Sequence, residues 1–177
     1  MKVLNLFLII LVTNSCAFHI NSGNAFVTLQ PSVQAKIKPI TIFNTEINDT
    51  IYEITADQLL VELKNHTRSL VYIFKSGCDS ENCLPLISVE NFAKKNNLKL
   101  FLVLSSYYDL SKTLNQKYTS QIYSINASYY GSPKNMKYFS KFLENLGYFK
   151  IEQEKSKRGS YLFFEGATIT KIETSIY

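Results

Sequence analysis

Residues 70–97 read "LVYIFKSGCDSENCLPLISVENFAKKNN". An unbroken apolar run ends in Lys75 and Ser76-Gly77, and Cys78 and Cys83 follow with four residues between them. A continuous apolar run of this length has the pattern of a strand buried on both faces. Ser76-Gly77 breaks the strand, and "DSEN" supplies a turn rich in capping residues. Pro85 then falls near the start of a helix, where its missing N–H costs least. Ile87 and Phe92 are expected to face inward on that helix, and Asn96-Asn97 to end it.

The same reading extends in both directions. Upstream, "TIYEIT" (50–55) reads as a short strand. Thr55 is a good N-cap for "ADQLLVELKNH", which sets Leu59, Leu60 and Leu63 on one helical face. Downstream, "LKLFLVLSS" (98–106) is a second fully apolar strand. "DLSKTLNQKY" reads as a short helix capped by Asp109 or Ser111, and "IYSINAS" as an extended segment. "SPKNMKYFSKFLENLGY" reads as a helix with Pro133 near its first turn and Gly147 at its end. "SYLFFEGATITKIETS" reads as two strands around Glu165-Gly166, a tight hairpin signal. Strands alternating with helices predict an α/β fold, a three-layer sandwich whose mixed central sheet carries a C-terminal β-hairpin at its antiparallel edge. Phe74 and Phe101, in the two most continuous apolar runs, are expected to be fully buried.

The third cysteine belongs to a different part of the chain. "MKVLNLFLIILVTNSC" opens with Lys2 and an apolar run from Val3 to Val12 interrupted by Asn5. That run is too short to span a bilayer, which takes about 20 residues, and it fits the core of a secretory signal. Ser15-Cys16 resembles the lipobox of bacterial lipoprotein signals, which implies cleavage to an amino-terminal, lipid-bearing Cys16. Thr13 and Asn14 depart from the usual lipobox, and an ordinary signal cleaved a few residues later and an uncleaved anchor are the other readings. The expected organisation is a signal peptide at 1–15, a tether at 16–49 with one early strand at "PITIF", and a folded domain at 50–177. Cys16 acylated or removed with the signal leaves Cys78 and Cys83 as an even pair in a compartment that permits a disulfide.

Composition bounds the rest. The chain has 177 residues, and what remains after a signal and tether suits one domain. Hydrophobic residues make up 46% and charged residues 19%, normal for a packed core. The net charge of +5 is scattered. Its densest cluster, "EKSKRG" at 154–159, includes an acid and reads as a solvated face, so no nucleic-acid partner is expected. G-x-S-x-G, P-loop, G-x-G-x-x-G and H-E-x-x-H patterns are absent from the sequence.

A buried strand, Gly-Cys, a second cysteine, a helix, a second buried strand, a helix and a terminal hairpin form a layout that resembles the thioredoxin-like superfamily. The resemblance covers roughly residues 50–177 and is of the exported, membrane-tethered bacterial kind. Its most specific part is "VYIFKSGCDSENCLP". It implies that Cys78 is the attacking thiol and Cys83 the resolving one. A thiolate is the nucleophile in such chemistry, and a helix N-terminus favours it. Lys75 adds positive charge nearby, whereas Asp79 and Glu81 oppose thiolate formation. All three read most simply as exposed loop side chains.

Three departures from the family pattern stand beside this. The usual spacing is Cys-x-x-Cys, and here four residues intervene. On one continuous helix such a pair is about 140° apart round the axis and ~7.5 Å along it. A disulfide needs Cα atoms about 4.4–6.8 Å apart, so Cys78 is expected in the loop, with Cys83 in or just before the first helical turn. Ser76-Gly77 replaces the common aromatic residue before the first cysteine. Gly159 or Ser160 stands where the family has a cis-proline before the final hairpin.

The resemblance implies a thiol–disulfide oxidoreductase of the cell envelope. It would act on thiols or disulfides of exported proteins, with its membrane partner reached through the lipid on Cys16 and the domain facing the periplasm or exterior. No cofactor is expected. A metal site needs about three or four ligands, and the histidines, His19 and His66, do not complete one with the cysteines. The alternative is a redox-inert binding module whose disulfide is structural.

Overall fold

A computed structural model describes residues 25–43, 48–77, 84–131, 136–155 and 159–177. It is an α/β sandwich around a seven-stranded mixed sheet. The strands are β1 (Ile37–Pro39), β2 (Ile51–Ile54), β3 (Arg68–Phe74), β4 (Lys99–Leu104), β5 (Ile122–Ile125), β6 (Tyr161–Glu165) and β7 (Thr168–Glu173). Their spatial order is β1-β2-β5-β4-β3-β6-β7. The first five are parallel to one another, and β6, antiparallel to β3, closes one edge with β7 as an antiparallel hairpin. The helices are α1 (Pro31–Gln34), α2 (Ala56–Leu63), α3 (Leu86–Lys95), α4 (Leu110–Leu114), α5 (Lys137–Asn145) and α6 (Tyr148–Lys155).

The apolar runs do in the structure what their pattern demands. Alternate residues of β3 and β4 point to opposite faces, and both faces are covered, so every second residue is not enough and the runs must be continuous. Val71, Ile73, Phe101 and Val103 lie in one core with Leu59 and Leu63 of α2 and Phe142 of α5. Leu70, Tyr72, Phe74, Leu102 and Leu104 lie in the other with Leu86 and Val89 of α3 and Leu110 of α4. Phe101 is 1% exposed and Phe74 7%, as expected for central strands. The connections after β2 and β5 therefore run over the first face, and those after β3 and β4 over the second. Winding direction reverses between β4 and β5, which is where open α/β sheets form a crevice at their carboxyl ends.

Local chemistry sets the helix ends. At α2 the Thr55 hydroxyl accepts from Gln58 N at 3.2 Å and the Gln58 side chain accepts from Thr55 N at 2.9 Å, a capping box. Asn97, at φ 53, turns the chain out of α3. At the end of α5, Gly147 at φ 82 takes the left-handed conformation that glycine adopts freely. The chain then enters α6, which the single helix expected over 132–148 did not foresee. Pro133 lies outside the described residues.

Two expectations differ from what is found. The inward face of α3 is Leu86, Val89, Glu90 and Ala93, while Ile87 and Phe92 are half-buried. Glu90 can face inward because its carboxylate accepts from Thr119 N at 2.7 Å and Ser120 N at 2.6 Å, partners that satisfy a buried acid. The early strand lies at Ile37–Pro39, slightly before "PITIF", and pairs with β2. Ahead of it, a 3-10 turn at Phe26–Thr28 and α1 pack Phe26, Leu29 and Val33 on the second face. The part of the segment read as a tether that the structure describes thus carries structure on the sheet.

Candidate functional site

Cys78 and Cys83 lie outside the described residues, as does Cys16. The chain that leads into and out of 78–83 is described, and α4 with its flanks holds both sides of it. On the entering side, the Ser76 hydroxyl donates to Ser106 O at 2.8 Å and contacts Tyr108 O. Gly77 N donates to Thr113 Oγ1 at 3.3 Å. Gly77 has φ 66, and a Cβ placed there would stand 2.3 Å from Asp109 Cβ. Glycine is required at this position by conformation and by space together, which explains why a Gly precedes Cys78. On the leaving side, Pro85 offers no side-chain cap to α3. Leu86 N donates instead to Gln116 Oε1 at 3.0 Å, so α3 is capped from thirty residues away.

Between these flanks lies a cavity of about 410 Å³. Tyr72 and Phe74 form its wall on β3, Leu84 and Pro85 its wall before α3, and Lys75 and Lys117 bring positive charge. Behind the wall the rings of Phe74, Tyr72 and Tyr161 stack, with centroids 5.2 and 4.5 Å apart. The Tyr161 hydroxyl is buried with no hydrogen-bond partner among the described residues. Burial, then the neighbouring Tyr72 phenol, push its pKa up.

The chain ahead of the final hairpin is also described in part. Ile73 N donates to Ser160 O at 2.9 Å, joining the approach to β6 to the end of β3. No cis peptide bond occurs among the described residues. At Gly159 a Cβ would lie 2.0 Å from Glu173 O, so the backbone of β7 occupies the room any side chain would need.

A buried polar cluster that sequence reasoning missed lies on the same face. Tyr107, following β4, donates its hydroxyl to Glu53 Oε1 at 3.2 Å, and Ser124 Oγ is 2.7 Å from the same hydroxyl. Burial raises the Glu53 pKa, and the Tyr107 hydrogen bond opposes that rise. Burial and then the Glu53 charge push Tyr107 well up. The one signal in the sequence was an acid in the third place of an otherwise apolar "IYEI". The edge of the Phe26 ring packs 5.9 Å from Tyr107, so the cluster is a covered polar pin joining β2, β5 and the loop after β4.

His66 sits just beyond α2, with Nε2 2.9 Å from Glu62 Oε1 and its ring 5.9 Å from Phe101. No group of three or more His, Cys, Asp or Glu side chains among the described residues is arranged to hold a metal. No helix among them is long and apolar enough to cross a membrane. No family model, curated protein or solved structure matches the chain.

Proposed function

We propose that this chain is a thioredoxin-like thiol–disulfide oxidoreductase of the cell envelope, exchanging disulfides with exported proteins through Cys78 and Cys83. The observation that carries the reading is where the cysteine segment attaches. It leaves the carboxyl end of β3, a central parallel strand, and returns at the start of α3, with Phe74, Lys75, Leu84 and Pro85 lining one cavity. In open α/β sheets binding and chemistry are placed at the carboxyl ends of the strands, the edge from which this segment leaves. Cys78 would attack the partner's disulfide sulfur and Cys83 would resolve the mixed disulfide, leaving the partner reduced and Cys78–Cys83 oxidised; the reverse sequence oxidises the partner.

The test is the reduction potential of the Cys78–Cys83 pair together with alkylation of the reduced protein. An exchanging pair should lie above roughly −300 mV, with Cys78 labelled faster than Cys83. A lower potential, or equal slow labelling, would leave a structural disulfide.

That second reading, a redox-inert binding module on a thioredoxin-like scaffold, is favoured by Gly159. The family's proline contributes to the partner groove, and Gly159 is packed against β7 where that proline would stand. Lipidation at Cys16 belongs to the proposal as well. Cys16→Ala should abolish acyl labelling of the protein in growing cells, and persistent labelling would remove the anchor from it.

A further inference from the structure

We propose that the cavity between β3, the start of α3 and the turn after α4 is a carboxylate pocket. It receives an acidic side chain of the exported partner, with an apolar residue beside it, close to the partner's cysteine. The proposal rests on the oxidoreductase reading and names the class of partner segment that the same site would select.

The cavity joins two chemistries. Its walls are apolar: Tyr72 and Phe74 on β3, Leu84 and Pro85 ahead of α3, and Ile87 in the first turn of that helix. Its polar groups are Lys75, Gln116 and Lys117, and no acid among the described residues lines it. A largely apolar cavity with a few placed polar groups is the usual form of a binding pocket, in which the polar groups choose the ligand.

Two other cavities are built differently. The one at the amino ends of β4 and β5 sets Lys94 and Lys99 beside Glu90, and the one between α2 and residues 40–43 is lined by Asp57 and Glu62 with no cation. The cavity beside the cysteine segment therefore differs from both in carrying positive charge with no described acid to balance it.

Its donors are also unspent. Lys36, Lys112 and Lys171 each have an acid within ion-pair distance, at 3.4, 3.8 and 3.1 Å. Lys75 and Lys117 have none among the described residues. Lys75 Nζ lies 5.6 Å from the Tyr108 ring centroid, a contact that brings no counter-charge. Gln116 is held in the turn after α4, where its N–H donates to Thr113 O at 3.1 Å. Its Oε1 accepts from Leu86 N at 3.0 Å, which fixes the amide and leaves Nε2 without an acceptor among the described residues.

An amide N–H and two ammonium groups are donors only, and an ionised carboxylate accepts only, through two oxygens. An apolar residue next to that carboxylate would lie against Leu84 and Pro85. The cavity walls also bracket the cysteines in sequence: Lys75 precedes Cys78 by three residues, and Leu84 directly follows Cys83. A partner segment held by its acid would thus present a neighbouring cysteine within a few residues' reach of the exchanging pair.

The probe is two dye-labelled peptides with blocked ends, Gly-Glu-Leu-Ser-Gly and Gly-Gln-Leu-Ser-Gly, in which serine stands for the partner's cysteine. Binding to the full-length protein is read by fluorescence anisotropy at low salt, so this arm requires no exchange. The Glu peptide should bind about fivefold more tightly, the scale of an exposed ion pair, and lose that advantage in high salt. The double variant Lys75→Gln, Lys117→Gln should bind both peptides alike, whereas Lys94→Gln, in the other lysine-lined cavity, should keep the preference. Equal binding by the native chain, or a preference that survives the double variant, overturns the proposal. A preference that emerges only after Asp79→Asn and Glu81→Gln assigns the cations to the chain's own acids and overturns it as well. Cysteine versions of the peptides, joined as disulfides, report exchange separately. No exchange beside an intact Glu preference would refute the oxidoreductase and leave the carboxylate pocket standing. Exchange without any preference would refute the pocket and leave the oxidoreductase.

Discussion

On one face of the sheet, Val71, Ile73, Phe101 and Val103 lie beneath α2, α5 and α6, packed with Leu59, Leu63 and Phe142. On the other, Leu70, Tyr72 and Phe74 share their layer with the Glu53–Tyr107–Ser124 cluster, buried Glu90 and the cavity beside the cysteine segment. Both faces are buried, but they are built differently. The first is an aromatic and aliphatic core close to its own helices. The second is held by hydrogen bonds between residues far apart in the chain, and it leaves space at the end where the cysteines enter. The first face has space as well, about 420 Å³ between α2 and residues 40–43, but the second sets its cavity beside the cysteine segment, where polar pins and open space together can support a site.

Phe101→Ala against Phe74→Ala puts that contrast to its sharpest trial. Truncating a buried Phe costs ~3–5 kcal/mol, more where the surroundings cannot collapse. Phe101 should fall at the upper end, and Phe74, whose ring borders the cavity, at the lower end. Equal losses in chemical denaturation would show that the faces are packed alike. Next in size is Gly159→Ala, where the added methyl meets the β7 backbone at 2.0 Å. It should cost about 3 kcal/mol, because strand backbones have little freedom to move. A neutral outcome would mean that the hairpin start shifts freely, and the argument for the binding-module reading would go with it.

Helix caps give a smaller and more selective contrast. Thr55→Ala removes a local capping box on the first face and should lower stability by about 1 kcal/mol without touching thiol reactivity. Gln116→Ala removes the remote cap of α3 and should cost no more, yet alter the alkylation rate of Cys83. If Thr55→Ala changes cysteine labelling as much as Gln116→Ala does, the two caps are not separate devices.

The smallest effects are in pH. Burial holds Tyr123 and Tyr138, both on the first face, up at about 12. A phenol raised above its ordinary value of 10.0 supports the fold below pH 10 and loses that support as pH rises toward about 12. Glu53 on the second face works in the acid range. Its pKa is raised from 4.5, so the folded state keeps its proton longer, and stability falls as pH climbs through that value to the raised one. Glu53→Gln should therefore gain thermal stability over the native chain at pH 7, and none below about pH 4.5. A uniform shift at both pH values would mean that the carboxyl is not titrating against the fold.

Much of this architecture is legible in the order of the residues. The runs at 70–74 and 101–104 are continuous because both faces of β3 and β4 are covered, and continuity survives in one dimension. Thr55 with Gln58, and Glu165-Gly166, are local signals that mark α2 and the hairpin. Residues that act across sequence distance are hidden. Glu90 reads as a surface acid until Thr119 and Ser120 are seen to donate to it. Tyr107 reads as a loop residue until Glu53 and Ser124 meet its hydroxyl. The 3-10 turn, α1 and β1 are three or four residues long, too short for periodicity to show. Of the site, the sequence supplies the cysteines, and the structure supplies the flanks that hold their segment.

The strand order also sets a timetable. β3, β4 and β5 follow one another in sequence and lie side by side, so each can pair soon after it appears. β2 precedes them all, yet its partner is β5: Ile54 pairs with Ile125. Closing so long a loop is entropically harder and slower than closing the short ones. In a chain that leaves a channel from its amino end, β1 and β2 would emerge first and wait for the last parallel strand before joining the sheet. Their apolar residues Ile37, Ile51 and Ile54 stay open to other contacts during that interval. Slowing passage between residues 54 and 122 would therefore raise misassembly more than an equal delay after Ile125.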